Sequence, residues 1–156
     1  MKIKLIVVGG LKQKYAQEGC ELFVKRLKHL CKFELIEVRD AKRKGKDVSR
    51  WKDEEATRLM QALDSVTDWI VLDERGKHYH SKAFAQLIQN SQNRACQSLA
   101  FVIGGPDGLA HEILQKAPRA MCLGAMTMPH ELARLVLLEQ LYRAHCILAN
   151  TPYHRD

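Results

Sequence analysis

The sequence predicts an α/β fold with a mainly parallel sheet and helices on both faces. Short apolar runs alternate along the chain with longer segments whose apolar residues recur at helical spacing. Buried parallel strands are nearly continuous apolar runs, and strand–helix alternation builds parallel sheets. No linker rich in Pro, Gly or Ser and no internal repeat interrupts this pattern, so we expect residues 1–156 to form a single domain.

Five apolar runs are the predicted strands: Ile3–Val8, Phe33–Val38, Trp69–Asp73, Leu99–Ile103 and Ala120–Leu123. Five segments with helical spacing are the predicted helices: one from Tyr15 to Leu30, one after an N-cap at Asp47, one after Ser81, a short one from Leu109 to Lys116, and the longest from Glu131 to Asn150. Ligands of such sheets bind beyond the carboxyl ends of the strands. Three strand ends are therefore candidate ligand sites: Leu72-Asp73, Gly104-Gly105 and the segment after Leu123.

Charge and cysteine usage narrow the class of protein. The formal net charge is +7, from 25 Lys and Arg against 18 Asp and Glu. This charge fits a polyanionic partner and a solvated basic surface without a partner about equally well. No apolar run reaches the roughly 18 residues that span a bilayer, so we expect no membrane segment. The five cysteines are widely spaced and odd in number, which favours reduced thiols in the cytoplasm over disulfides or zinc.

Two connections are candidate ligand loops. Ile103–Gly108, with the sequence IGGPDG, would let backbone amides approach a ligand closely, or it is a plain turn between strand and helix. It matches neither the dinucleotide fingerprint nor the P-loop. Leu123–His130, with the sequence LGAMTMPH, is too apolar for an ordinary exposed loop. It would suit a flat apolar group such as adenine, or it is a buried crossover.

The last helix and the tail carry the polar candidates. Glu139 and Arg143 are four residues apart, which fits a surface ion pair as well as an active site. A helix that is apolar on two sides, as this one is, lies centrally or at an oligomer interface. Tyr153, His154 and Arg155 could stack on a base, handle a proton and contact phosphate, although a chain end is often frayed.

Two further clusters complete the candidates. The connection Arg39–Asp47 is predicted to contact RNA phosphate, or else to be a solvated loop; its cations are Arg39, Lys42, Arg43, Lys44 and Lys46. His78 and His80 have no third ligand in view and no HExxH motif is present, so we expect no metal site.

Six motifs in order resemble one family: MKIKLIVVG, FELIEV, LDERGK, FVIGGPDGL, MTMPH and PYHRD. The chain is similar to the ribosomal large-subunit methyltransferase H family, within the SPOUT class of knotted methyltransferases. The similarity extends over nearly the whole chain. Any one of these motifs would be weak evidence, but all of them in this order and spacing are very specific.

The resemblance implies an S-adenosylmethionine-dependent enzyme that methylates N3 of a pseudouridine in 23S ribosomal RNA, on an assembled ribosomal particle. It also implies a SPOUT-type α/β knot, with a C-terminal trefoil knot, and a homodimer. The residues it assigns to the cofactor site are Leu72, Gly104, Leu123, Gly124, Ala125, Met126, Thr127 and Met128. Tyr153, His154 and Arg155 would complete the substrate site, against the cofactor of the partner subunit.

The expected mechanism needs the acceptor nitrogen aligned with the methyl group and relieved of its proton. We expect Arg143 and Arg155 to orient phosphate or the imide oxygens. His154 is the expected proton acceptor, and Glu139 is the alternative. The competing hypothesis is a non-catalytic ribosome-binding or assembly factor on the same fold. A nucleotide-dependent oxidoreductase is disfavoured by the missing GxGxxG fingerprint.

Overall fold

The computed structural model describes residues 1–43 and 45–155. The strands are β1 (Lys2–Val8), β2 (Lys32–Val38), β3 (Asp68–His78), β4 (Ser98–Ile103) and β5 (Arg119–Cys122). The helices are α1 (Lys14–Leu30), α2 (Val48–Leu63), α3 (Ser81–Asn93), α4 (His111–Lys116) and α5 (His130–Leu148). Each predicted element is present, and Asp47 caps α2 as expected, accepting a hydrogen bond from the Arg50 amide at 3.1 Å.

The strands form one sheet in the order β2-β1-β4-β3-β5, and every recorded strand pairing is parallel. Alternate residues of β1 and β4 point to opposite faces. Leu5 and Phe101 are buried with α1, α3 and α5, whereas Ile6 and Val102 are buried with α2 and α4. This confirms the predicted α/β class, with a parallel sheet covered by helices on both faces.

Strand β3 is longer than predicted. The apolar run ends at Asp73, but the strand continues to His78 because Lys77 and His78 pair again with β5. The pairing is irregular, since Met121 of β5 pairs with both Leu72 and Lys77. We call the four residues between these pairs, Asp73–Gly76, the β3 arch.

The β3 arch closes over the backbone of β5 at Gly76. A Cβ atom added at Gly76 would lie 2.5–2.7 Å from the backbone carbon, nitrogen and Cα of Met121. These distances are shorter than any real Cβ contact, so only glycine allows the two backbones to approach in this way. The trefoil knot that the resemblance implies stays a prediction.

Helix α5 is anchored at both its first turn and its middle. The Glu131 carboxylate accepts hydrogen bonds at 2.9 Å from the Lys12 and Gln13 amides and so caps the N-terminus of α1, where Gln13 makes no side-chain cap of its own. Leu137, Leu138 and Leu141 are fully buried in the core that α5 shares with α1 and α3. The orientation of the helix is therefore fixed.

On another face of α5, Leu132 and Val136 are only half-buried. The helix is therefore central on one side and keeps partly exposed apolar groups on another, as its two-sided apolar pattern predicts. None of the helices formed by residues 1–43 and 45–155 combines the length and apolar character needed to cross a membrane.

Replacing Gly76 by Ala should destabilise the fold by about 2 kcal/mol or more, because the methyl group has no space against the backbone of Met121. Thermal unfolding followed by circular dichroism should show a midpoint lowered by about 5 °C or more. Gly10→Ala is the matched control, since nothing lies within 4 Å of a Cβ atom there. A Gly76→Ala midpoint equal to that of the Gly10→Ala protein would contradict the close approach.

Glu131→Gln should cost about 1 kcal/mol at neutral pH, since charge-assisted hydrogen bonds become neutral ones. Hydrogen bonds from the Gln13 and Lys12 amides hold the pKa of Glu131 below its ordinary value of 4.5. A lowered folded-state pKa gives stability that is present above pH 4.5 and lost as the pH falls through the folded-state pKa.

Urea unfolding at a series of pH values should therefore show the two proteins converging below about pH 4.5. Glu21→Gln, on the exposed surface of α1, is the control and should show no such convergence. A Glu131→Gln difference that is constant across the pH range would exclude the charged cap.

Candidate active site

The three predicted strand ends meet at one cleft of about 750 Å³. Its walls come from Leu72 at the end of the regular part of β3, the loop Ile103–Leu109 after β4, and the segment after β5 as far as His130. The volume lies within the roughly 300–1,000 Å³ typical of sites for small ligands. The cleft also occupies the carboxyl edge of the sheet, as expected for a parallel α/β fold.

Seven of the eight predicted cofactor residues line this cleft: Leu72, Gly104, Leu123, Gly124, Met126, Thr127 and Met128. Ala125 belongs to the same loop but is exposed and lies outside the cleft lining. The structure therefore brings together three segments that are separated by up to 56 positions in the sequence.

The loop after β4 is closed on itself by contacts that require glycine. The Gly108 amide donates to the Gly105 carbonyl at 3.0 Å, and Gly108 has a φ of +78°. A Cβ atom at Gly104 would lie 2.8 Å from the backbone carbon of Gly108. The loop therefore presents backbone to the cleft, without side chains at these positions.

The segment after β5 presents an apolar surface to the same cleft. Met126 is 82% exposed, the highest value among the exposed large apolar side chains. The loop is held from behind, where the Cys122 thiol contacts the Gly124 carbonyl at 2.8 Å. A solvent-exposed methionine at the mouth of a cleft is typical of a surface that a ligand covers.

The cleft also contains Asp73, which belongs to a predicted strand end, together with Arg75 and Lys52, which the sequence interpretation did not single out. Arg75 donates to both oxygens of Asp73, at 2.9 and 3.1 Å, and these bonds hold the pKa of the Asp73 carboxyl below its ordinary range. Lys52 reaches the cleft from α2. No local signal marks Lys52, because its position depends on how α2 packs on the sheet.

His130 also lines the cleft, at the start of α5. Burial lowers its pKa; Glu131 opposes this shift, and the charges of Arg43, Lys12 and Arg134 add to it. The imidazole is therefore neutral at neutral pH. The apolar segment Leu123–His130 ends at this residue, so its position in that motif was the available signal.

The tail residues form a second cluster around Glu139. The Tyr153 hydroxyl donates to Glu139 Oε1 at 3.0 Å, and the Arg143 guanidinium donates to the same oxygen. Gln140 Nε2 donates to Glu139 Oε2 at 2.6 Å. The Nδ1 atom of His154 lies 3.4 Å from Arg143 Nη1.

Ring contacts fix Tyr153 on α5. It packs edge-to-face on Tyr142 with 4.8 Å between ring centroids, and the Arg143 guanidinium lies 5.0 Å from its ring centroid. Burial and the hydrogen bond to Glu139 raise the pKa of Tyr153. Tyr153 and His154 thus contact α5 and are half-buried, while Arg155 is exposed. Asp156 lies outside the described residues.

The cleft and the tail cluster do not meet within one chain. Tyr153, His154, Arg155, Glu139 and Arg143 all lie in the described part of the chain, and none of them lines the cleft. The helical rise of 1.5 Å per residue puts Glu139 about 14 Å and Arg143 about 20 Å along α5 from His130.

The basic residues of the connection Arg39–Asp47 differ in their contacts. Arg39, Lys42 and Arg43 are all exposed, and Arg43 also donates to Asp107 of the glycine loop at 3.0 Å. Lys44, which was expected to contact RNA with its neighbours, lies outside the described residues.

Residues 1–43 and 45–155 contain no group of three or more His, Cys, Asp or Glu side chains placed to hold a metal ion.

Comparison with known proteins identifies the family. The family described as "Predicted SPOUT methyltransferase" matches residues 1–154. The ribosomal RNA large subunit methyltransferase H of Nitratidesulfovibrio vulgaris is 43% identical over 152 residues, which is 97% of each chain. The protein of the same name from Streptococcus mutans is 39% identical over 99% of this chain and 100% of its own length.

Solved structures agree at the level of the fold. A probable methyltransferase from Bordetella pertussis superposes with a TM-score of 0.59 and 17% identity, over 92% of this chain and 95% of its own. This structure supports the fold alone, whereas the family model and the two sequence relatives confirm the resemblance found in the six motifs. The chain belongs to the SPOUT methyltransferases and, within them, to the ribosomal RNA large subunit methyltransferase H family.

Proposed function

We propose that this protein transfers a methyl group from S-adenosylmethionine to N3 of a pseudouridine in 23S ribosomal RNA, within an assembled ribosomal particle in the cytoplasm. The observation that carries the proposal is the cleft, where seven of the eight residues expected at the cofactor share one cavity. Family membership and the name shared by the relatives support the reaction class and ribosomal RNA as substrate. The whole chain acts as one domain in this proposal.

The walls of the cleft fit S-adenosylmethionine. Apolar side chains such as Leu123 and Met126 suit the adenine ring, and the side-chain-free loop at Gly104 leaves room for close backbone contact. Asp73 and Lys52 supply one charge of each sign for the charged amino-acid part. The bound donor supplies an electrophilic methyl group, so the residues of the chain must position the acceptor and manage its proton.

The separation of cleft and tail supports a homodimer with shared sites. The tail cluster lies about 14–20 Å along α5 from the cleft of its own chain. The half-buried Leu132 and Val136 lie on the helix between them and offer an apolar contact for a second copy. In this proposal Tyr153, His154 and Arg155 complete the site of the partner subunit.

The tail supplies the groups that act on the pseudouridine ring. Tyr153 would stack on the base, Arg155 would contact phosphate, and Arg143 would hold an imide oxygen. Negative charge that develops at N3 and on the imide oxygens would be stabilised by these cations. The acidity of the N3 proton would rise for the same reason.

The contacts distinguish the two candidate proton acceptors. Glu139 already accepts hydrogen bonds from Arg143, Tyr153 and Gln140, so its oxygens are largely occupied. His154 is therefore the proposed acceptor. Because a guanidinium can only donate, accepting the proton at Nε2 requires the tautomer with a proton on Nδ1 and a longer contact to Arg143. In the other tautomer His154 would donate to an imide oxygen instead.

Replacing Tyr153, His154 and Arg155 together by Ala should abolish methyl transfer to ribosomal particles, while calorimetry still measures binding of S-adenosylmethionine. The tail lies outside the cleft, so donor affinity should change less than about threefold. Labelled donor, offered with subunits, whole ribosomes and free RNA, measures transfer. Transfer at the wild-type rate would exclude a role for the tail.

A wild-type protein that binds ribosomes but not the donor would favour the assembly-factor hypothesis.

Mixing two inactive variants should restore activity if the site is shared across a dimer. One variant carries the triple Ala substitution in the tail, and the other carries Gly104→Val, which blocks the glycine loop. A mixed dimer then has one intact cleft facing one intact tail, and up to about half of the mixed-dimer sites can work. Co-expression with two different affinity tags isolates the mixed dimer. If each tail serves its own cleft, the mixed dimer has no intact site and stays inactive.

A further inference from the structure

Among the cations of the basic connection that the structure describes, Arg43 is the one placed beside carboxylates. Its Nε donates to Asp107 at 3.0 Å, its Nη2 lies 3.6 Å from Glu55, and its Nη1 lies 3.8 Å from Asp40. The side chain is only 31% exposed. Its charge is therefore offset by three nearby carboxylates, although the residue as a whole is exposed, as Arg39 and Lys42 are.

The anchor of this cluster is Glu55 on α2, which is 3% exposed. One of its oxygens accepts a hydrogen bond from the Ala41 amide at 3.0 Å, and the same oxygen faces Arg43. A buried carboxylate needs such partners, because its charge is costly to bury alone. Glu55 thus fixes both the backbone of the connection and the guanidinium of Arg43.

The same cluster supports the glycine loop. A Cβ atom at Gly105 would lie 3.0 Å from Glu55 Oε2 and 3.4 Å from Arg43 Nη2, so the loop lies directly against both groups. Asp107, bound by Arg43, lines the cleft. A chain of contacts therefore runs from a buried residue of α2, through Arg43, to the wall of the cleft.

We propose that Arg43 is a positioning residue for methyl-donor binding, acting through Asp107 on the shape of the loop Gly104–Gly108. This rests on the proposed function, since it takes the cleft as the donor site. The sequence placed Arg43 with its basic neighbours as a contact for RNA phosphate. Its orientation instead assigns it to the donor side of the reaction, while Arg39 and Lys42 remain available to a polyanion.

Calorimetry of S-adenosylmethionine with the isolated full-length protein tests this without RNA. Arg43→Gln should weaken donor binding about tenfold, roughly the effect of one charge-assisted hydrogen bond. Lys42→Gln, which removes a neighbouring exposed cation, is the matched control and should leave the affinity unchanged. Arg43→Lys should be intermediate, because one ammonium group cannot reach three carboxylates in the fork geometry of a guanidinium.

Steady-state kinetics separates positioning from RNA contact. Arg43→Gln should raise the KM for the donor while kcat and the KM for ribosomal particles stay within about twofold of wild type. Asp107→Asn should weaken donor binding similarly. The double variant should bind the donor no more weakly than the single variant with the lower affinity, because both residues act through one contact. If Arg43→Gln proves too unstable to measure, Arg43→Lys and Asp107→Asn carry the same test.

Wild-type donor affinity in Arg43→Gln, or an increase only in the KM for ribosomal particles, would overturn the proposal. Additive losses in the double variant would also overturn it, because the two residues would then act independently. Failure of the wild-type protein to bind the donor at all would instead overturn the proposed function, so the two failures are distinguishable.

Discussion

The close approach of two backbones at Gly76 and Met121 is the constraint on which the cleft depends. The β3 arch closes over β5 there, which places the ends of these strands side by side. Strand β4 pairs with the other edge of β3 and brings the glycine loop to the same end of the sheet. The crossing at Gly76, which only a residue without a side chain permits, thus holds the β3 and β5 walls of the cleft together, and the pairing of β4 with β3 adds the third wall.

Helix α5 carries residues of both the cleft and the cluster around Glu139, and its length keeps these two sites apart. Its first turn begins at the cleft with His130 and caps α1 through Glu131, and its buried side is held between α1 and α3. Because a helix is rigid over this length, the cluster around Glu139 and Arg143 cannot reach the cleft of its own chain. The proposed homodimer, in which the tail of one copy completes the site of the other, would resolve this separation without any change in the fold.

Some features of the fold and of the candidate site could be predicted from the sequence, and others could not. Strand and helix positions followed from apolar periodicity, and the N-cap at Asp47 followed from its residue type. The rule that ligands bind at the carboxyl ends of parallel strands correctly grouped Leu72, Gly104 and Leu123. The extension of β3 to His78 was missed because it is polar and depends on pairing with β5. Lys52 was missed because it reaches the cleft only through the packing of α2.

The fold class, the family and the segments proposed to carry the chemistry can all be inferred from the amino-acid sequence, because they are expressed in local periodicity and in motifs of contiguous residues. The strand order β2-β1-β4-β3-β5, the distance between cleft and tail, and the contact of Arg43 with Asp107 became known only from the three-dimensional structure. These features are contacts between residues far apart in the chain; Arg43 and Asp107 are separated by 64 positions. Their formation depends on the packing of the whole core, and a local pattern carries no record of it.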